Sequence, residues 1–361
     1  MKTSHALLTL CFMLCLGSVA SALPAAAGSE IKIGVISGLS GIAARWGHYQ
    51  NHGMELAQEE LAGSERPVRL IFEDSQSVGA KAITALNKLV TYDKVDALLA
   101  GDFGFVTAPL IPLASQQKKF MLTISMPQES CCRQSKGYFF SITSQFVFSE
   151  AAFEKFFELH PEIKKAALFI FDDPEWGLAY AQIWERIAAR RGVQIVNVYK
   201  STEFLPDYKP ALARSLALGA EVLLLAHEPV SFTKAVLATN YKGPILAANN
   251  YLEAVAAKED LGRLQDQLYI VDPEISPEFV RRYKARFNEQ PILEAYAGYE
   301  AVHAISRAFA ANREHPELGI KTLKYQGVSG EIDFTGKSCT GNLTRWGLFK
   351  LKDMKLVQVG N

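Results

Sequence analysis

Residues 31–47 read IKIGVISGLSGIAARWG, and the fold turns on how this stretch is parsed. The run 31–36 is mainly apolar and β-branched, the composition of a strand buried on both faces of a parallel sheet. SGLSG then punctuates the chain, and Met54, Ala57 and Leu61 beyond it share one face of a helix. Glycine-rich turns between a first strand and a first helix often hold phosphate. The spacing G-x-x-x-x-G-K-[ST] is missing here, because no lysine follows the glycines. Gly38, Gly41 and Gly47 also miss the G-x-G-x-x-G spacing of dinucleotide sites. The stretch is a strand–turn–helix unit without a phosphate signature.

The same unit recurs outward from it. Runs at 68–72, 95–100 and 120–124 read as further strands, with a helical face at Ala82, Leu86, Leu89 and Val90. A helix near 150–160 stops at Pro161, and the alternation begins again. Strands are expected at 166–171, 193–198, 222–226 and 245–248, with helices at about 177–191, 208–218 and 230–241. Two helices near 277–288 and 294–312 follow, then a glycine-rich, strand-like tail, GVSGEIDFTGKSCTGNLTRWGLFKL. Such βαβ order implies an α/β fold with right-handed crossovers. At 361 residues the chain exceeds one ordinary core, so two doubly wound, parallel-sheet lobes are expected. Ligands of open α/β sheets bind beyond the carboxyl ends of the strands. The loops that begin at Ser37, Gly101, Ser125, Asp172, His227 and Asn249 are therefore expected to face one cleft.

Charge and composition narrow the function. Lys+Arg and Asp+Glu both number 38, which leaves no electrostatic footprint for nucleic acid or anionic lipid. The N-terminus differs from the rest: Lys2 precedes an apolar run, ALLTLCFMLCLGSVA, and then the small residues Ala20-Ser21-Ala22 and Ala25-Ala26-Ala27. A basic start, a short apolar core and an A-x-A-like site describe a secretory signal peptide over 1–27, cleaved after Ala22 or Ala27. The expected location is extracytoplasmic, in the periplasm. Cleavage would leave Cys131, Cys132 and Cys339. A bridge from Cys131 or Cys132 to Cys339 and a set of three thiols are both compatible with the spacing.

The loops are thin in catalytic chemistry. His48 and His52 are four apart, a metal-ligand spacing, but no glutamate follows His48 as in H-E-x-x-H and no third ligand is evident in the sequence. Asp172 and Asp173, followed by Pro174, are the makings of a turn and a helix cap. Ser40 has no G-x-S-x-G elbow. No enzyme activity, metal or cofactor is expected. Aromatic residues instead gather at the strand-end loops and helix starts: Trp46, Phe103, Phe105, Trp176 and Tyr296. Trp46 and Trp176 each precede a glycine at the same point of their lobes.

IKIGVISGLSGIAARWG resembles the opening of the type I periplasmic solute-binding proteins of ABC importers, the Leu/Ile/Val-binding protein family. FEDSQS with AKAITALNKLV, FDDPEWGLAYAQIW, LPDYKPALARSLALGAEVLLL and AYAGYEAVHAI are similar to further segments of that family, in the same order. The resemblance implies lobes joined by three crossovers, one of 30–144 plus 275–328 and the other of 145–274 plus 329–361, hinged near Ser144, Asp272–Pro273 and Ser329. It implies a monomer that closes on a small organic ligand (amino acid, amide or aromatic or apolar carboxylate) and delivers it to an ABC permease. The alternative is a ligand-sensing receptor of the same fold, coupled to a signalling partner.

Position by position, the resemblance puts Trp46, Phe103, Gly104, Phe105, Ser125, Met126, Trp176, His227, Asn249 and Tyr296 at the ligand; apart from it, the added aromatic residues suggest a ligand carboxylate near Arg45, which reads equally as a solvated surface residue. Amino-acid binders of the family carry an acid where this chain has Asn249 and Asn250. Their serine-rich loop is GDFGFVT here, and their threonine loop is SMPQE. Glu228 or Asp102 is then left to replace the acid; without it, the expected ligand is larger and more apolar or aromatic than leucine.

Overall fold

The computed structural model describes residues 30–360 apart from 102, 125–128, 144–148, 174–175, 249–250, 252–257, 337–338 and 342–344, and the backbone alone at 129–131 and 258–260. The signal peptide and the Ser144 crossover lie outside the described residues.

Two sheets organise the chain. The first contains β1 (Ile31–Ser37), β2 (Val68–Asp74), β3 (Ala97–Ala100), β4 (Met121–Thr123) and β5 (Phe139–Ser141), in the order β2-β1-β3-β4-β5. All its neighbours run parallel. The second contains β6 (Lys165–Phe171), β7 (Gln194–Ser201), β8 (Val222–Ala226), β9 (Ile245–Ala247) and β10 (Leu268–Pro273), in the order β7-β6-β8-β9-β10. It is extended by two antiparallel strands, β13 (Trp346–Lys352) and β14 (Lys355–Gln358). A separate hairpin joins β11 (Lys324–Gly327) to β12 (Gly330–Asp333).

The burial follows from this order. Interior strands β3 and β8 are buried at every residue, so helices cover both faces and only apolar side chains fit. The edge strands β2 and β7 are partly open and carry Arg69, Glu73, Asn197 and Lys200. The sequence reading missed β5, β10 and β14, which are short or carry polar residues at their ends.

A core forms around each sheet. The helices Ala44–Leu61 and Leu293–Ala311 pack on the first, so segments far apart in sequence share one interior. Helices Glu150–Leu159 and Gly177–Arg191 pack on one side of the second sheet, and Tyr208, Leu212 and Phe232 on the other. One part of the expected division is corrected. Ile332, Phe334 and Cys339 belong to the first core, although 329–361 was expected to join the second lobe as one piece. The reason is local: Cys339 is bonded to Cys132, and Thr340 bridges to Ser141 at the end of β5. The tail enters the second sheet only at β13. Near the crossing, the Glu274 amide donates to Arg345 and the Ser276 amide to Val328, so 274–276 passes from one sheet's partners to the other's.

No described helix is long and apolar enough to cross a membrane.

Candidate functional site

Both sheets contain the same topological break. β1 lies between β2 and β3, and β6 lies between β7 and β8, so successive connections leave each of these two strands in opposite directions. The loops diverge there and open a crevice at the carboxyl ends of the strands. The loops flanking it start after Ser37 and Ala100 in the first sheet, and after Phe171 and Ala226 in the second.

The first of these loops is SGLSG, and its donors are already used. Asp74, at the end of β2, accepts through Oδ1 from the amides of Leu39 (3.0 Å), Ser40 (3.2 Å) and Gln76 (2.8 Å). Its Oδ2 accepts from the Ser40 hydroxyl at 2.6 Å. Burial pushes the Asp74 carboxyl up, but these hydrogen bonds from Ser40, Gln76 and Leu39 outweigh it and hold the pKa below the ordinary carboxylate value. A carboxylate of the protein thus occupies the place an anionic ligand would take in a phosphate loop.

The two Trp-Gly pairs have one steric cause. A Cβ on Gly47 would stand 2.3 Å from the Gly38 carbonyl oxygen, and one on Gly177 would stand 1.9 Å from that of Phe171. Only glycine lets each helix start so close to the strand end before it. Each tryptophan is thereby carried to the crevice side of its sheet. In the second loop Asp173 fixes the turn, accepting from the amides of Trp176 (2.8 Å) and Gly177 (3.1 Å). Asp173 is thus a capping residue.

Between the sheets the aromatic rings form a continuous series. Trp46 meets Phe103 edge-on at 5.5 Å, and Phe103 stacks on Phe105 at 5.4 Å. Phe103 also meets Phe204 at 5.7 Å, and Phe204 meets Phe171 at 5.1 Å. Phe103 follows β3 of the first sheet; Phe204 follows β7 of the second. The Phe103–Phe204 contact therefore spans the crevice. Phe105 is 51% exposed, and Trp46, Phe103, Phe171 and Phe204 are partly exposed, so apolar ring surface faces the opening.

The sequence-expected residues divide accordingly. Trp46, Phe103, Gly104 and Phe105 come together. Trp176 lies on the second sheet's side, its ring edge-on to Tyr180 at 5.8 Å. Arg45 is exposed at the start of the first helix. His227 is not open to the crevice: it is buried, its Nε2 donates to the Ser201 carbonyl at 3.2 Å and its Nδ1 accepts from the Glu228 amide at 2.6 Å. Burial pushes it down to about 4, against the Ser201 bond, so the ring is neutral and braces Phe171 edge-on at 5.2 Å. Glu228 caps the helix Pro229–Leu237 by accepting from Val230 and Ser231, which corrects its suggested role as the ligand's acid. Tyr296 is fully buried within the first core. Ser125, Met126, Asn249 and Asp102 lie outside the described residues.

Phe171 and Phe204 escaped the sequence reading as site residues, although Phe171 ends a strand-like run, Phe204 follows one, and both precede turn residues. So did an acidic pair. Asp272, at the end of β10, is pushed up to about 8 by burial and by the negative charge of Glu294. Tyr180 is raised by burial and by the same two carboxylates, so the three groups lie near one another beside Trp176. A surface depression of about 220 Å³ lined by Phe157, His160, Lys164 and Arg191 lies at the amino end of β6, away from the crevice.

The periplasmic binding protein family model matches residues 30–360. No curated protein matches the chain. Among solved structures, the chain is similar to the branched-chain amino acid transporter substrate-binding protein LivJ from Streptococcus pneumoniae in complex with isoleucine (19% identity, 91% of this chain and 100% of that one, TM-score 0.78). It is also similar to a solute-binding protein of an ABC transporter from Rhodopseudomonas palustris in complex with 3,4-dihydroxybenzoic acid (17% identity, 92% and 96%, TM-score 0.78). A third similar structure is the leucine-binding protein LivK from Thermotoga maritima (19% identity, 91% and 98%, TM-score 0.73). At these identities the likeness concerns the fold.

Proposed function

Because this chain belongs to the periplasmic binding protein family, we propose that it captures a small organic molecule between two lobes and hands it to an ABC importer. One lobe is built on each sheet. The chain segment 274–276 and its partners form part of the hinge, and closing the lobes buries the ligand. The protein acts outside the cytoplasm, and its partner is a membrane permease.

The reading of the ligand rests on one observation, the aromatic series that crosses the crevice from Trp46 through Phe103 and Phe204 to Phe171. Flat apolar faces on both sides favour a ligand with an aromatic or bulky apolar body over a small polar one. A second reading, that this body carries an amine, is favoured by Asp272 and Glu294. Two carboxylates near one another hold a proton that a cationic ligand would displace.

Mass spectrometry of ligand released from denatured protein, followed by calorimetry with isoleucine and 3,4-dihydroxybenzoate as reference compounds, tests the proposal. Tighter binding of the aromatic compound is the expected result. Tight isoleucine binding with none of the aromatic compound would overturn the ligand reading and leave the transport reading standing.

A further inference from the structure

We propose that His48, His52 and Glu289 form a site for one divalent transition-metal ion of the zinc class, on the outer flank of the first core. In the sequence the two histidines lack a third ligand, and the fold supplies it. They sit one turn apart on the helix Ala44–Leu61, with ring centroids 4.1 Å apart. Glu289 follows the helix Pro277–Phe287, which ends at Asn288 with φ 54. Its Oε2 lies 2.9 Å from His48 Nε2 and its Oε1 lies 2.7 Å from His52 Nδ1. The ligand atoms of the three residues all lie within 4.8 Å of one another.

Two imidazole nitrogens and one carboxylate oxygen are a zinc-type donor set, and three protein ligands leave a fourth position open. His48 is about half exposed, so that position faces solvent, where water completes the coordination. Zinc bonds of about 2.0–2.2 Å put tetrahedral neighbours roughly 3.3–3.5 Å apart. The present separations of 2.7 and 2.9 Å are hydrogen bonds, in which a proton stands where the ion would. Binding then requires the donor atoms to spread by about half an ångström, with each imidazole turning the lone pair of its coordinating nitrogen to the ion.

The surroundings hold the donors in place. Tyr283 donates to Glu289 Oε1 at 2.8 Å, and the His52 ring stacks flat on Phe287 at 4.1 Å with an interplanar angle of 9°. Hydrogen bonds to His48, His52 and Tyr283 converge on the Glu289 carboxyl and fix its orientation. Tyr49 follows His48, so the general-base glutamate of H-E-x-x-H is absent from this pair.

The test is calorimetric titration of chelator-treated full-length mature protein with zinc, paired with cobalt(II) absorption to read the geometry. Wild type should bind one ion saturably, with a tetrahedral cobalt spectrum. His52→Ala and Glu289→Gln should each weaken binding at least ~10-fold, and Tyr283→Phe by about 10-fold as an outer-sphere change. Circular dichroism of metal-free variants shows whether they are folded. Should His52→Ala not fold, Glu289→Gln, which keeps the shape and loses the charge, carries the test. Absence of saturable binding, or binding that none of the variants changes, would reduce the cluster to a hydrogen-bonded clamp and overturn the proposal.

Discussion

If the lobes close as proposed, Phe103 and Phe204 must be energetically coupled in the ligand-bound protein. The two rings come from different sheets and meet at 5.7 Å. Phe103 also contacts Trp46 at 5.5 Å and Phe105 at 5.4 Å, whereas Phe204 contacts Phe171 at 5.1 Å. Truncating either ring removes its own burial and its own-side partners, so each single alanine substitution should weaken binding by about 1–3 kcal/mol. The shared contact is isolated by the cycle of Phe103→Ala, Phe204→Ala and the double variant. An aromatic pair contributes about 0.5–1.5 kcal/mol beyond area burial, which corresponds to roughly 2- to 13-fold in Kd. The double variant should therefore lose less than the sum of the singles by that amount. Calorimetric Kd values for the tightest ligand supply the four corners. Because the contact is apolar, the coupling should be unchanged between low and high salt. A coupling within ~0.3 kcal/mol of zero would mean that the rings do not meet when ligand is bound, and the closed-cleft reading would fail.

Other consequences can be checked separately. Trp46→Ala should weaken ligand binding by roughly 1–3 kcal/mol without changing the melting temperature much, since the ring is partly exposed at the crevice; unchanged affinity by calorimetry would remove Trp46 from the site. Gly177→Ala forces a Cβ to within 1.9 Å of the Phe171 carbonyl and should cost about 1–3 kcal/mol in chemical denaturation, with altered Trp176 fluorescence; a stability equal to wild type would contradict the described helix start. Asp272, pushed up to about 8 in the fold from about 3.9 in an unfolded chain, keeps an extra proton when folded. The contribution of Asp272 to stability should therefore be fullest below pH 4, fall as the pH rises to 8 and level off above it. Asp272→Asn should flatten that profile and exceed wild type at pH 9 by at least ~1 kcal/mol, read from denaturant midpoints at pH 5, 7 and 9; superimposable profiles would refute the assignment.

Much of the fold was legible because burial on two faces leaves a local trace. Buried strands such as β1, β3 and β8 are unbroken apolar runs, and their helices keep a 3.6-residue rhythm. β10 and β14 were not legible, since their ends carry Asp272, Pro273, Lys355 and Gln358 and their places are fixed by partners far along the chain. The candidate site divides along the same line. Trp46, Phe103 and Phe105 sit in loops that topology alone sends to the crevice. Tyr296 and His227 also follow motifs, yet their exposure depends on neighbours the sequence does not place beside them. Tyr296 is fully buried within the first core, and His227 is held by Ser201 and Glu228. Glu289 was out of reach for the same reason: it stands 237 residues from His52.

The opening stretch constrains the ligand's charge more than its glycines did. The amides of Leu39 and Ser40 serve Asp74, so this corner offers an incoming anion no donor from those groups. Asp74, Asp272 and Glu294 give the described strand ends and helix starts a carboxylate surplus, with Arg45 exposed at the edge. An aromatic ligand bearing an amine fits that balance, and its charge would drive Asp272 to ionise. Binding at pH 7 should then release a fraction of a proton, whereas a carboxylate ligand beside the pair would take one up. Calorimetry of one ligand in two buffers of different ionisation enthalpy reads the sign directly. Proton release that disappears in Asp272→Asn would locate the amine beside Asp272. Uptake would put a carboxylate beside the pair and refute the amine, whereas no exchange in wild type would assign the ligand's head group to another part of the cleft and leave the aromatic series as its recognition element.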